Sequence, residues 1–200
     1  MIRLCFATNN KHKLEEVKDI LGNEFQILSL EEIGCLDELP ETQDTLEGNS
    51  LQKADFVFTN YHVPCFADDT GLEVKALQGA PGVYSARYSG EQRNSDDNIN
   101  LLLKNLTGKS DRTAQFRTVI TLMGLGETQS FEGVVKGEIL TVKKGSEGFG
   151  YDSVFQPNGF NRTFAEMTLQ EKNNLSHRAK AVDKLAKHLK GLAIQEKKIK

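Results

Sequence analysis

Asp68 and Asp69 stand side by side where an apolar run, Val63 to Ala67, comes to its end, and Thr70-Gly71 follows them. Two adjacent carboxylates at the end of a buried strand repel each other and are costly there unless a cation is bound. Magnesium takes a few carboxylates together with waters and substrate phosphates, so a strand-end aspartate pair suits it. A solvated turn closed by Thr70-Gly71 accounts for the same residues without a metal. Glu41, Glu47 and Glu73 could add carboxylates to such a site, and the sequence does not select among them.

A second place for chemistry is Thr8-Asn9-Asn10-Lys11-His12-Lys13, between an apolar run and a helical pattern. A strand-to-helix turn points free backbone N–H groups and the positive end of the helix dipole at an incoming anion. Hydroxyl, amide and ammonium side chains add donors, and Lys13 falls in the first helical turn. Thr and Asn are also ordinary helix-capping residues. Neither a P-loop nor a G-x-G-x-x-G pattern is present, which removes support from the standard nucleoside triphosphatase and dinucleotide readings.

Three later segments carry further donors. Gly79-Ala80-Pro81-Gly82 leads into Val83-Tyr84-Ser85-Ala86-Arg87-Tyr88, where glycine permits close backbone approach and Arg87 could clamp a phosphate oxygen; a plain long turn is equally consistent. In Gly148-Phe149-Gly150-Tyr151-Asp152 an aromatic ring between glycines leaves room for a base to stack, and Asp152 offers an acceptor; packing at a strand edge is the simpler alternative. Lys172 and Ser176-His177-Arg178 put donors near the start of the last helix, where a surface histidine and arginine are the commoner reading.

The elements that must position these residues follow from periodicity. Ile2 to Ala7 suits a strand buried on both faces, and Phe25 to Leu30 a second strand. Leu14, Val17, Ile20 and Leu21 share one face of a helix from His12 to Leu21 that Gly22 stops. Leu46, Leu51, Ala54, Val57 and Phe58 predict a helix running to about Tyr61. Ser95 opens a helix ending near Gly108, while Thr113 to Met123 and Ser130 to Val142 form a hairpin across Gly124-Leu125-Gly126-Glu127. Thr168-Leu169-Gln170-Glu171 has the capping-box pattern, and Ser176 caps a final amphipathic helix through Leu189. Strands alternating with helices early and a hairpin late predict an α/β fold on a mixed sheet.

The 200 residues include 38% hydrophobic and 26% charged, ordinary for a globular chain and unlike a disordered one. A net charge of -3 excludes a whole-protein basic field for a nucleic-acid polymer. No run reaches membrane-spanning length, and the start lacks a secretory pattern. Cys5, Cys35 and Cys65 are an odd, widely spaced set that reads as buried thiols in a reducing compartment, so a cytoplasmic protein is expected. The terminal Lys197-Lys198-Ile199-Lys200 reads as a solvated or frayed tail.

Taken in order, these blocks resemble the inosine triphosphate pyrophosphatase family, the Ham1-like nonstandard purine nucleoside triphosphate pyrophosphatases. The likeness runs from Phe6-Ala7-Thr8-Asn9-Asn10 and Lys13 through Phe66-Ala67-Asp68-Asp69-Thr70-Gly71-Leu72, Gly79 to Tyr88 and Gly148 to Asp152, ending with Glu166-Met167, Lys172 and Leu175-Ser176-His177-Arg178. Asn9 stands where many members carry glycine, and Leu46-Glu47-Gly48-Asn49 is a looser match to the family's second helix. The resemblance implies a single domain over residues 1–200, with a long mixed sheet, two lobes, a nucleotide cleft between them and a homodimer. It implies Mg²⁺-dependent hydrolysis of inosine, deoxyinosine or xanthosine triphosphate to the monophosphate and pyrophosphate, with neither a nucleic-acid polymer nor a membrane as partner. By the same resemblance Thr8, Asn9, Asn10, Lys11, His12 and Lys13 bind phosphate, Asp69 is catalytic and metal-binding, and Asp68 and Glu41 join it at magnesium. Lys53, Thr70 and Arg87 fall at further substrate positions, and Phe149, Gly150, Tyr151, Asp152, Lys172, His177 and Arg178 at base-recognition positions. Three alternatives stand beside it: a Maf-like enzyme for other modified triphosphates, which a substrate panel separates, a non-catalytic module, which would bind inosine triphosphate without releasing pyrophosphate, and an RNA-binding protein, which conflicts with the net charge of -3.

Overall fold

A computed structural model describes residues 2–199, with side chains up to Ile194; the Lys197–Lys200 side chains, expected as a solvated tail, lie outside the described residues. Among these residues the strands are β1 Arg3–Phe6, β2 Gln26–Leu28, β3 Cys65–Val74, β4 Pro81–Gly82, β5 Thr113–Met123, β6 Gln129–Ile139 and β7 Phe155–Pro157. The helices are α1 Lys11–Leu21, α2 Leu46–Tyr61, α3 Ser95–Asn105, α4 Leu169–Asn173 and α5 His177–Ile199. One sheet runs in the order β2-β1-β3-β5-β6-β7, with β4 beside β3. Its β1 is parallel to both β2 and β3, whereas β4 and β7 are antiparallel to β3 and β6. The fold is thus the expected mixed α/β arrangement.

The chain divides into two compact units. The first comprises Met1–Asp69, Thr118–Gly133 and Arg178–Lys200, and the second Thr70–Arg117 and Val134–His177. In the first unit, the two-residue period of a strand sorts side chains onto two faces. Leu4, Phe6 and Phe66 join Val17 and Leu21 of α1 and Ala181, Val182, Leu185 and Leu189 of α5 in one core. Within it the Phe6 and Phe66 rings stack at 4.7 Å. Cys5, Ala7, Cys65 and Ala67 point the other way, into a core with Ala54 and Val57 of α2. The three cysteines are buried free thiols, as their spacing suggested.

The second unit packs Leu72 and Val74 of β3 with Ile99 and Leu102 of α3, Phe116 of β5, Ile139 of β6, and Phe155 and Phe164. Its 78–94 segment is anchored by Ser85, whose hydroxyl donates to the Gly82 carbonyl at 2.6 Å and accepts from the Leu72 amide at 2.8 Å. Gly71 is required here, since a Cβ would stand 2.7 Å from the Gly82 carbonyl oxygen.

One expectation is overturned. β3 does not stop at Ala67 to leave the aspartates at its end; it begins at Cys65 and continues through Asp68, Asp69, Thr70 and Gly71 to Val74. The cause is its pairing. β1 accompanies β3 only as far as the Phe6–Phe66 pair, while β5 lies along its other edge and β4 pairs with its far end through Leu72–Gly82 and Glu73–Pro81.

Candidate functional site

Because Asp68 and Asp69 are consecutive in a strand, their side chains leave on opposite faces. Asp68 follows Phe66 towards α1 and α5; Asp69 follows Ala67 towards α2. Their mutual repulsion is relieved by divergence, and each meets cations of its own helical layer. The cation that two adjacent buried carboxylates demand is supplied by the protein, as lysine and arginine.

On the first face, Asp68 is fully buried and takes Lys13 Nζ at 2.9 Å on Oδ1 and Arg178 Nε at 3.2 Å on Oδ2. Arg178 is itself buried and pairs through Nη1 with Glu16 of α1. Burial alone would raise the Asp68 carboxyl, but Lys13, Arg178 and Lys53 outweigh it and hold it well below the ordinary carboxylate range. Burial also lowers the Lys13 ammonium, which Asp68 only partly restores. Lys13 arrives there through its helix start: the Asn10 carboxamide oxygen accepts from the His12 amide at 3.0 Å and the Lys13 amide at 3.3 Å, a helix cap.

On the second face, Lys53 of α2 bridges two carboxylates, with Nζ 2.6 Å from Glu41 and 3.7 Å from Asp69. Burial opposes the Lys53 charge, yet Asp69 and Glu41 raise its pKa overall. Burial pushes the Asp69 carboxyl up, and Lys53 and Lys13 offset only part of that. The Asn49 carboxamide donates to Asp69 Oδ2 at 3.1 Å.

The rest of the expected turn has varied duties. Thr8 Oγ1 accepts from the Asn10 amide, while Lys11 and His12 are exposed. Asn9 is committed to backbone, donating to the Asp37 carbonyl at 3.2 Å and accepting from the Leu39 amide at 3.1 Å.

The second unit brings Phe149, Asp152 and Lys172 together. Lys172 Nζ lies 2.7 Å from Asp152 Oδ2, which also accepts from the Phe149 amide at 2.9 Å. The same ammonium sits 4.9 Å from the centre of the Phe149 ring. Gly148, at φ +75°, permits this contact, because a Cβ there would collide with the Asp152 carboxylate. Gly150 also has positive φ, and Tyr151 is buried with its hydroxyl donating to the Ser85 carbonyl at 2.9 Å. His177 stacks on Phe116 at 4.6 Å and is buried, so neither it nor Arg178 is the surface residue that its helix-start position suggested. Arg87 lies over the Tyr84 ring at 5.2 Å, and Thr70 is half-buried in β3.

The sequence pattern of the Ham1 family matches residues 4–188. The chain belongs to the Ham1 family. A dITP/XTP pyrophosphatase of Flavobacterium johnsoniae is 54% identical to it over 92% of this chain and 96% of that one. Among solved structures, the Ham1 protein of Staphylococcus aureus is 37% identical with a TM-score of 0.86, covering 94% of this chain and 98% of its own. A HAM1 protein of Coxiella burnetii is 35% identical with a TM-score of 0.87, covering 96% and 100%.

Two polar residues of this Ham1 chain escaped the sequence reading. Glu16 follows Lys13 by three positions, the spacing that puts both on one helical face; Asn49 precedes Lys53 by four, with the same result. Those spacings were the available signal, and a buried partner for each was the missing knowledge.

Among the described residues, no three of histidine, cysteine, aspartate and glutamate gather into a metal-holding group. The expected set of Asp68, Asp69 and Glu41 is therefore not assembled as three ligands, since Asp68 faces away from the other two and carries Lys13 and Arg178 on its two oxygens. Glu41 and Asp69 do fit a hard divalent cation: both are oxygen donors, and both already converge on one positive charge, the Lys53 ammonium.

Proposed function

We propose that this chain hydrolyses inosine, deoxyinosine and xanthosine triphosphates to the monophosphate and pyrophosphate, clearing deaminated purines from the nucleotide pool. The observation that carries this reading is the pair of lysines, half-buried Lys13 and buried Lys53, each held against one of two adjacent, oppositely facing carboxylates. A triphosphate brings about four negative charges near neutral pH, and ammonium groups held in place by the fold stabilise such a polyanion. The names of the relatives support the same chemistry.

In this proposal Thr8 to Lys13 and Lys53 take the phosphates, with Thr70 and Arg87 as further substrate contacts. Asp69 accepts a proton from the water that attacks the α-phosphorus. Glu41 and Asp69 would hold Mg²⁺, which when bound supplies charge neutralisation and Lewis acidity at the phosphates. The base meets Phe149, Gly150, Tyr151, Asp152, Lys172, His177 and Arg178, whose donors suit a 6-oxo purine and oppose the 6-amino group of adenine. Residues 1–200 act as one catalytic domain, as a homodimer in the cytoplasm.

The test is pyrophosphate release from inosine, xanthosine, adenosine and guanosine triphosphates, with and without Mg²⁺. Rapid, Mg²⁺-dependent release from the first two, with kcat/KM on the order of 10⁴ above the adenosine substrate, is expected. Equal cleavage of adenosine and inosine triphosphates would overturn the assignment.

A further inference from the structure

Asn49 of α2 is a buried carboxamide with both ends committed inside the first unit. It is 1% exposed, in the first turns of the helix. Its Nδ2 donates to Asp69 Oδ2 at 3.1 Å, and its Oδ1 accepts from the Gln43 backbone amide at 2.9 Å. Gln43 lies two residues beyond Glu41, whose carboxylate meets Lys53 at 2.6 Å. A single buried side chain therefore ties the strand that carries Asp69 to the loop that carries Glu41. Helical spacing places Lys53 one turn further along the same face, so one helix presents both the amide and the ammonium to Asp69.

We propose that Asn49 is a positioning residue for the reaction. It fixes the rotation of the Asp69 carboxylate, leaving Oδ1 towards Lys53 and Glu41, and it holds the Glu41 loop in register with that carboxylate. The inference rests on the reading above that Asp69 takes part in the chemistry. The physical argument is one of donor polarity. A carboxylate accepts and cannot donate, so the Asn49 carboxamide satisfies Asp69 and the Gln43 N–H together where a carboxylate could not. A carboxylate in its place would keep the loop bond and lose the strand bond. An alanine would lose both.

The experiment is a double-mutant cycle on pyrophosphate release from inosine triphosphate, using Asn49→Ala, Asp69→Asn and the two combined, each checked for a folded melting transition. If Asn49 acts through Asp69, Asn49→Ala lowers kcat by roughly 10- to 100-fold with little change in KM, and the double variant is no slower than Asp69→Asn alone. Multiplying losses would overturn the proposal, because an independent, merely structural effect adds to the Asp69 defect. Near-normal turnover in Asp69→Asn would instead overturn the role of Asp69 itself, which separates the two failures. Asn49→Asp supplies the second arm. It should lose at least as much kcat as Asn49→Ala while amide hydrogen exchange at Gln43 stays slow, whereas Asn49→Ala should speed that exchange. Wild-type kcat in Asn49→Asp would show that the bond to Asp69 does not matter and would sink the assignment.

Discussion

At the scale of single residues, the first unit depends on charges that are buried and matched. Asp68 is held below the ordinary carboxylate range by cations that outweigh its burial, so its charge stabilises the folded state. That contribution is complete above about pH 4 and is lost as the pH falls through the folded value. Lys13→Ala removes one of the cations and lets the folded value rise, so the loss begins at a higher pH. Acid unfolding followed by circular dichroism should therefore show a midpoint shifted upwards. Stability at neutral pH should also fall, by on the order of 2 kcal/mol, because a buried carboxylate has lost a partner. An unchanged acid midpoint would mean that Arg178 alone controls Asp68. In the same variant the affinity for a triphosphate should drop far more than that for the free nucleoside; equal losses would take Lys13 away from the phosphates.

At the scale of elements, the start of α1 links helix formation to the site. The Asn10 cap satisfies two amides that would otherwise end in nothing, one of them belonging to Lys13. Asn10→Ala should cost about 1 kcal/mol in thermal or denaturant unfolding, and Asn10→Ser should recover most of it; a silent alanine variant would show that water replaces the cap. This helix and its glycine stop were legible in the sequence, as was the span of α2, because apolar spacing and capping residues are local signals. The path of β3 was not. Aspartate and glycine are poor strand formers, so Asp68-Asp69-Thr70-Gly71 reads as a turn until the partner strands and the paired lysines are known. Arg178 shows the same limit more sharply: its position at a helix start suggests solvent, and its partner Glu16 lies 162 residues earlier. The duty of Asn9, tying down the 37–39 backbone, was hidden for the same reason, since both of its partners lie about thirty residues away.

At the scale of the whole molecule, neither compact unit is a continuous stretch of chain. The first is completed only by Ile120 and Leu122 of β5 and by Ala181, Val182, Leu185 and Leu189 of α5. A protein truncated after His177 should therefore lose the first unit's core as well as Arg178, and amide hydrogen exchange in β1 and α1 should become fast; slow exchange there would show that α5 is dispensable. The alternation of β3 has a consequence for how such a chain can change over generations. Replacing an apolar residue along Cys65 to Ala67 alters packing by degrees, and neighbours can adjust to it. Inserting or deleting one residue there is different in kind: the two acidic positions exchange faces, turning Asp69 towards Lys13 and Arg178 and Asp68 towards Lys53. Composition in this strand can drift, whereas its length is inherited whole or not at all.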